Sequence, residues 1–311
     1  PKVTSFGLRN APTRFQQFID SILLSCIAFT FIYLDDILIF SDSEDSHIAH
    51  LKQVLETLSK NGLFLNKTKC SFAKTKVDFL GHTVGVDGID VMESKVEAIK
   101  KLNLPKTRKE LKRFIVMVSY YHKLIPNLAK VMSPLTEISG GPKKSNRKII
   151  KLTDIQIKAY NDTIALLAEA ARISYEDHTK PLTLFTDASD SHVGAVLEQE
   201  GKDRQMKPLA FFSKKLPPTK QVRPTFYKEL RGVYLALKHF QSRVLGRTLI
   251  IRTDSKSVER VNEIGNQSPA EQRWICAIKE LNPIIRHIDG KKNVVADSLS
   301  RPPQAKVMYA K

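Results

Sequence analysis

The chain has 311 residues, 42% of them hydrophobic, with a mean hydropathy of −0.24. That length admits two domains with a connector, and the composition excludes a disordered or fibrous chain. A net charge of +18 and a pI near 9.7 exclude an ordinary balanced surface and argue for a polyanionic partner, most simply nucleic acid.

The first 90 or so residues read as helix, hairpin, helix and strands. Asn10-Ala11-Pro12 opens a helix that carries Phe15, Phe18, Ile19 and Ile22 at helical spacing. Two short apolar runs follow, 29–34 and 37–40, rich in β-branched and aromatic residues, and they predict two buried strands. Asp35 and Asp36 interrupt these runs directly after Tyr33 and Leu34, which puts the pair at or beside a hairpin turn. Two carboxylates held near an apolar floor repel one another and lose hydration. A divalent cation such as Mg²⁺, which favours oxygen ligands, relieves both costs. Asp also suits turns through its backbone habits alone, and spacing does not separate the two readings. A second helix is predicted over 47–59 from Ile48, Leu51, Val54, Leu55 and Leu58, ended by Asn61-Gly62. A strand over 77–85 comes next, with Val86-Asp87-Gly88 as its turn.

Four segments recur here in a fixed order. They are Phe6-Gly7-Leu8-Arg9-Asn10-Ala11-Pro12 with Phe15-Gln16, then Tyr33-Leu34-Asp35-Asp36, then Gly62-Leu63-Phe64-Leu65-Asn66-Lys67-Thr68-Lys69-Cys70, then Phe79-Leu80-Gly81-His82. In that order they resemble the palm of a reverse transcriptase of the Ty3/gypsy class of long-terminal-repeat retrotransposons. The resemblance implies that Asp35 and Asp36 are catalytic acids holding polymerase metal ions. It implies nucleic-acid contacts for Phe6, Gly7, Asn10, Phe15, Gln16, Tyr33 and Lys69, and a primer grip at Leu80, Gly81 and His82. That family uses a third metal-binding aspartate from a strand upstream of the Phe-Gly-Leu motif, whereas this chain begins at Pro1. The expectation is an internal piece of a longer Pol polyprotein, with an incomplete polymerase half that does not copy a template by itself.

Residues 91–139 change character. Val96, Ile99 and Leu102, then Leu111, Phe114, Ile115 and Val118, mark two amphipathic helices separated by Leu104-Pro105, with Thr107 as the cap of the second. Tyr120-Tyr121-His122-Lys123-Leu124-Ile125-Pro126 matches imperfectly a segment of the same family, which implies a small helical thumb against the duplex. Core packing is the preferred role for its tyrosines. From Lys100 to Lys151 there are 14 Lys and Arg against two acids, a net +12 and two-thirds of the whole excess. Phosphate contact accounts for such a concentration better than a solvated face does, and Lys112 and Arg113 are its candidate residues. Ser139-Gly140-Gly141-Pro142-Lys143-Lys144-Ser145-Asn146 reads as a linker, followed by a helix over 153–171.

From Pro181 onward short strands take over. Runs 182–187, 194–199 and 208–213 are antiparallel strands, 225–240 is a long helix, 249–254 is another strand, and 294–299 is a last helix. Asp187 and Asp254 end two of the strands, while Glu229 and Asp297 lie on the two helices. Four carboxylates converging from separate elements suit a two-metal phosphodiester hydrolase. Singly, Glu229 and Asp297 read as surface acids and Asp254 as a helix cap. Their contexts, Thr186-Asp187-Ala188-Ser189, Tyr227-Lys228-Glu229-Leu230, Thr253-Asp254-Ser255 and Val295-Ala296-Asp297-Ser298, resemble the ribonuclease H domain that follows reverse transcriptase in the same elements. All four acids are thereby implied as catalytic and metal-holding, with two Mg²⁺ (or Mn²⁺) ions per site. Many such enzymes carry a histidine on the loop before the last Asp. Here that loop is Asp289-Gly290-Lys291-Lys292-Asn293, and Lys291, Lys292 and Asn293 are expected to bind phosphate. His287 is expected in a strand. Lys214, Lys215, Lys220 and Arg223 are candidates for gripping an A-form duplex.

The reading is an α/β (α+β) chain. It comprises a partial palm (1–90), a helical thumb (91–139), a connection with one helix (140–178), a mixed-sheet ribonuclease H-like domain (179–303) and a tail (304–311). The expected partners are an RNA/DNA hybrid and a primer-template duplex, dNTPs for the full-length enzyme, and the rest of the polyprotein, protease and integrase included, with no membrane. The alternative is a retroelement-derived remnant that binds nucleic acid without catalysis. Cys26, Cys70 and Cys276 lack metal or redox spacing and read as buried thiols of a reducing compartment. No signal peptide opens the chain and the longest apolar run, 22–34, is too short to span a bilayer. An intracellular location follows as the expectation, in the cytoplasm or a virus-like particle, with access to the nucleus.

Overall fold

In the computed structural model, which describes residues 9–140, 149–259 and 267–288, the chain divides into two units, residues 1–80 and 81–311. The first unit holds α1 (Ala11–Ile22), β1 (Thr30–Tyr33), β2 (Asp36–Ile39), α2 (Glu44–Lys60) and β3 (Lys76–Phe79). Pro12 sits in the first turn of α1, where a missing N–H costs nothing. Ser43 forms a capping box with Ser46, so α2 begins at Glu44, ahead of its apolar stripe, which starts at Ile48. Gly62, at φ +73°, carries the chain out of that helix.

The hairpin of β1 and β2 is antiparallel with Tyr33 opposite Asp36, but its strands are not buried on both faces as expected. Thr30 is 7% exposed and Ile32 packs with Ile37 and Ile39 against Ile19, Leu23, Val54 and Leu58 of the helices; Phe31 and Tyr33 are 56% and 51% exposed. The helices cover one face of the ribbon only, so side chains that alternate along the strand alternate in burial too.

The second unit starts with a hairpin, β4 (His82–Gly85) and β5 (Gly88–Val91). The single strand expected over 77–85 is therefore broken. Leu80 and Gly81 have φ of +48° and +78°, a left-handed backbone that no ladder continues through. The helices α3 (Glu93–Lys100), α4 (Arg108–Ser119), α5 (Leu128–Val131), α6 (Ser133–Ser139) and α7 (Asp154–Ala168) follow. Thr107 caps α4 by accepting from the Glu110 N–H at 3.2 Å. Ala159, Tyr160 and Leu167 of α7 share one core with Leu111, Phe114, Val118 and Leu135. The helix of the expected connection is thus built into the helical layer. Tyr121 is buried, as core packing requires, whereas Tyr120 is exposed.

A five-stranded sheet completes the unit, in the order β10-β9-β6-β7-β8. Its strands are β6 (Leu182–Ala188), β7 (His192–Glu200), β8 (Met206–Lys215), β9 (Leu249–Thr253) and β10 (Ile284–His287); β6 to β8 form an antiparallel meander, and β9 and β10 add on parallel to β6. Between them lie α8 (Pro218–Gln221), α9 (Thr225–His239), α10 (Gln241–Val244), α11 (Lys256–Glu259) and α12 (Pro269–Lys279). Leu184, Val193, Ala195 and Leu197 face α9 and α12 through Leu230, Val233 and Ile278. Val196 and Phe211, with Phe185, face the other way and pack on Leu124 and Ile173. Ile173 exchanges both backbone bonds with Ile89 (2.9 and 3.1 Å), while the next residue, Ser174, donates to the Pro208 carbonyl at 2.8 Å.

Of the cysteines expected to be buried, only Cys26 is; Cys70 is half-buried and Cys276 is exposed on α12, and none forms a disulfide. No described helix is long and apolar enough to cross a membrane.

Candidate active site

Asp187 lies at the C-terminal end of β6 and Asp254 directly follows β9, its parallel neighbour, so the sheet delivers both carboxylates to one edge. The helix α9 packs across β6 and β7 and brings Glu229 from its first turns to the same place. Ligand oxygens of Asp187, Glu229 and Asp254 all lie within 4.8 Å of one another. Asp187 (9% exposed) and Glu229 (4%) are buried and Asp254 is exposed, so the cluster opens to solvent on one side.

Burial raises the pKa of Glu229 most, and the charges of Asp187 and Asp254 raise it further, to about 9; the Ala188 N–H and Lys228 pull weakly the other way. Glu229 Oε2 is buried with no hydrogen-bond partner among the described residues. A hard divalent cation fits such a group of oxygens, because it replaces both the missing donor and the mutual repulsion. Asp297, the fourth acid, lies outside the described residues, as do Lys291, Lys292 and Asn293.

The surroundings hold Asp254 by its main chain. His287, on β10, has Nε2 at 3.1 Å from the Asp254 carbonyl oxygen, and the His287 N–H donates to Glu259 Oε1 at 2.8 Å. The short helix α11 is capped by the Ser255 hydroxyl, which accepts from Val258 N–H at 3.3 Å, so capping is not the role of Asp254.

Two residues escaped the sequence reading. The Ala129 N–H on α5 donates to Ser213 Oγ at 2.9 Å, and Ser213 lies in register with Gly194, which pairs with Asp187. That bond sets the half-buried Lys130 beside the acids: burial lowers the pKa of its ammonium and Asp187 pushes it back up. His192 is buried on the same face, with its pKa held down to about 4 by burial first and then by Lys215 and Lys130. Neither residue stands in a motif: Lys130 reaches Asp187 through the packing of α5 on β8, and His192 lies on β7, the antiparallel neighbour of β6.

The other acid pair stands differently. Leu34 (φ +52°) and Asp35 form the two-residue loop of the first hairpin, and Asp35 and Asp36 are both exposed, so the expected loss of hydration does not arise there. Gln16 clamps this loop: its Oε1 accepts from Leu34 N–H at 2.6 Å and its Nε2 donates to Ile32 O at 3.3 Å. The nucleic-acid contact expected of Gln16 competes with this clamp. Asn10, Phe15, Tyr33 and Lys69 are exposed, Leu80 is half-buried, and Phe6 and Gly7 lie outside the described residues.

In the second unit His82 is half-buried with its ring 5.3 and 5.4 Å from those of Tyr120 and Tyr121, and the Tyr121 hydroxyl donates to Gly81 O at 3.1 Å. Lys112 is half-buried and Arg113 exposed on α4. Among the expected duplex-gripping cations, Lys214 is exposed, Lys215 pairs with Glu137, and Lys220 and Arg223 each lie 5.6 Å from the centre of the Tyr227 ring.

Comparison with known proteins gives a consistent result. Residues 1–84 match the family model of the reverse transcriptase (RNA-dependent DNA polymerase), and residues 152–251 match that of the RNase H-like domain found in reverse transcriptase. The retrovirus-related Pol polyprotein from transposon opus of Drosophila melanogaster is 38% identical over 308 residues, which is 96% of this chain and 31% of that protein. The transposon Tf2-3 polyprotein of Schizosaccharomyces pombe is 32% identical over 307 residues, 96% of this chain and 22% of that protein. The chain thus spans a third or less of the length of these relatives. Two solved structures are similar in fold at 20% identity. A foamy viral protease-reverse transcriptase in complex with double-stranded DNA has a TM-score of 0.81 over 91% of this chain and 50% of that one. Another in complex with an RNA/DNA hybrid has a TM-score of 0.77 over 99% and 41%.

Proposed function

This chain belongs to the reverse transcriptase and ribonuclease H part of the Ty3/gypsy-type retrotransposon Pol polyproteins, and from that premise we propose that its sheet domain hydrolyses the RNA strand of RNA/DNA hybrids. The observation that carries this reading is the three-carboxylate group, with ligand oxygens within 4.8 Å of one another and its central glutamate raised to about 9. Asp187, Glu229 and Asp254, together with Asp297 of the matching motif, would hold two divalent cations, Mg²⁺ or Mn²⁺. When bound, such cations supply Lewis acidity at the attacking and leaving oxygens of the phosphodiester.

The chain's own residues do the rest. The strand ends fix Asp187 and Asp254, and Glu229, whose raised pKa keeps its carboxyl protonated, would have to lose that proton to serve as a ligand. His287 steadies the Asp254 backbone. Lys130 contributes a positive charge beside Asp187, suited to the phosphate of the strand being cut. The first unit presents Asp35 and Asp36 as two ligands of the polymerase site of the parent enzyme, which takes dNTPs and a primer-template duplex. The remainder of the polyprotein supplies the other parts. The place of action is intracellular, in the cytoplasm or a virus-like particle, with access to the nucleus.

The test is cleavage of a labelled RNA/DNA hybrid with and without Mg²⁺, comparing the chain with its Asp254→Asn variant. Asp254→Asn is expected to lose activity by about 100-fold or more while still binding the hybrid. Equal activity in both, or none in either, would favour binding without catalysis.

A further inference from the structure

His239 ends α9 beside β8, the last strand in the order of the sheet. Its ring packs on Phe212 and Phe240, with centroids 4.8 and 4.9 Å away, and the His122 ring stands edge-on at 5.7 Å. Lys123 follows His122 in the turn between α4 and α5, and Arg243 extends from α10. Lys123, His239, Ser242 and Arg243 line a cavity of about 90 Å³ whose remaining wall is Ala210 and Phe240. That is several times the ~10–15 Å³ that a single water requires.

No acid lines this cavity. Arg243 Nη1 donates to the Leu209 carbonyl at 3.1 Å, and its Nε stands 3.9 Å from Glu176. Glu176 is itself held by Arg247 at 2.7 Å, so its charge is already matched. Lys123 is exposed and Arg243 half-buried, and the charges of both oppose protonation of His239. A solvated basic face would spread its cations apart. Here a serine hydroxyl, a lysine, an arginine and a histidine converge on one small opening with an aromatic floor.

We infer that this cavity is a phosphate-binding site for the backbone of a nucleic-acid duplex, formed jointly by the helical layer and the sheet. It rests on the reading of an RNA/DNA hybrid as partner, and it adds a contact separate from the carboxylate site. Lys123 and Arg243 supply charge, and the Ser242 hydroxyl donates. His239 takes up a proton as the phosphate enters. Burial first, and then the charges of His122, Lys123, Arg243 and Lys214, hold its pKa below the ordinary value in the free chain. An entering anion opposes those charges, so binding tightens as the pH falls towards and below 6.5, the ordinary value from which the free ring is lowered.

The experiment follows the His239 ring by proton NMR in the full chain, assigned with His239→Gln, alongside hybrid affinity by fluorescence polarisation. The His239 signal is expected to move downfield on adding hybrid. Lys123→Gln is expected to weaken binding about five-fold and to make the salt slope shallower by about one. His239→Gln is expected to flatten the pH dependence of affinity. Inorganic phosphate separates the sources of the anion. A shift with phosphate alone, combined with hybrid affinity indifferent to Lys123→Gln, would overturn the duplex assignment. No shift with either probe would overturn the site altogether. Cleavage is scored separately. A chain that cuts hybrid yet binds it equally well after Lys123→Gln sinks this inference alone, and one that binds through the cavity without cutting sinks the proposed activity alone.

Discussion

Glu229 is the residue where the cost of the site is concentrated. Its carboxyl is 4% exposed, shares a small volume with two other acids, and has its pKa raised to about 9. The unfolded chain releases the same proton near the ordinary glutamate value of 4.5. An acid raised in this way stabilises the fold fully below its unfolded pKa and loses that contribution as the pH climbs towards the folded value. Stability without cations is therefore expected to fall between pH 4.5 and about pH 9. Glu229→Gln removes the titrating group while keeping its shape. In thermal melts with a chelator it is expected to exceed the parent chain at alkaline pH, by on the order of a few kcal/mol. The advantage should shrink as the pH approaches 4.5, and also when Mg²⁺ is added to the parent chain. A pH-independent difference would mean that packing, not ionisation, separates the two proteins. Hybrid cleavage should be lost in the variant under every condition.

At the scale of elements, the first hairpin depends on one side chain from a neighbouring helix. Gln16 accepts the Leu34 N–H at 2.6 Å at a point where the backbone is left-handed without being glycine. Removing the acceptor leaves that strained loop without support, at a cost of about 1–2 kcal/mol. Gln16→Ala is expected to speed amide exchange across Thr30–Tyr33 and Asp36–Ile39 and to leave the sheet of the second unit untouched. Unchanged exchange in the hairpin would release Gln16 for the nucleic-acid contact its motif implies. The same hairpin shows how far the sequence could be read. Its strands and turn were legible from β-branched runs around Asp35 and Asp36, but its one-sided burial was not. An uninterrupted apolar run looks alike whether one face or two is covered. The break at Leu80 and Gly81 was hidden for a similar reason, since alternation of side chains continues across it. Asp187, Glu229 and Asp254 were legible because each stands in a local motif on a strand end or helix. Lys130 was not, because a contact between α5 and β8 leaves no local pattern in either segment, and His192 was not, because it stands on β7 outside any motif.

Taken over the whole molecule, the helical and sheet layers of the second unit depend on each other in ways that no domain boundary drawn from composition anticipates. Val196 and Phe211 are 0% and 5% exposed, and what covers them is Leu124 and Ile173 from the helical side. Ala129 donates to Ser213, Lys215 pairs with Glu137, and Ser174 donates to Pro208 across the same junction. Gly88 lets this junction close: its φ is +135°, and an added Cβ would lie 2.2 Å from the Ile173 carbonyl oxygen. Isolating residues 179–311 strips the outer face of the sheet, and each large apolar side chain so uncovered forfeits about 1.5–3 kcal/mol. It also removes Lys130 from the neighbourhood of Asp187. That fragment is therefore expected to melt well below residues 81–311, to bind a hydrophobic dye, and to cut hybrid more slowly even where it is folded. Residues 81–311 should retain the thermal transition that the sheet shows in the full chain. Equal melting of the two fragments would show the apolar face to be self-sufficient. Equal cleavage rates would show that the charge beside Asp187 does not act on the strand being cut. The two readouts separate what the helical layer contributes to folding from what it contributes to chemistry.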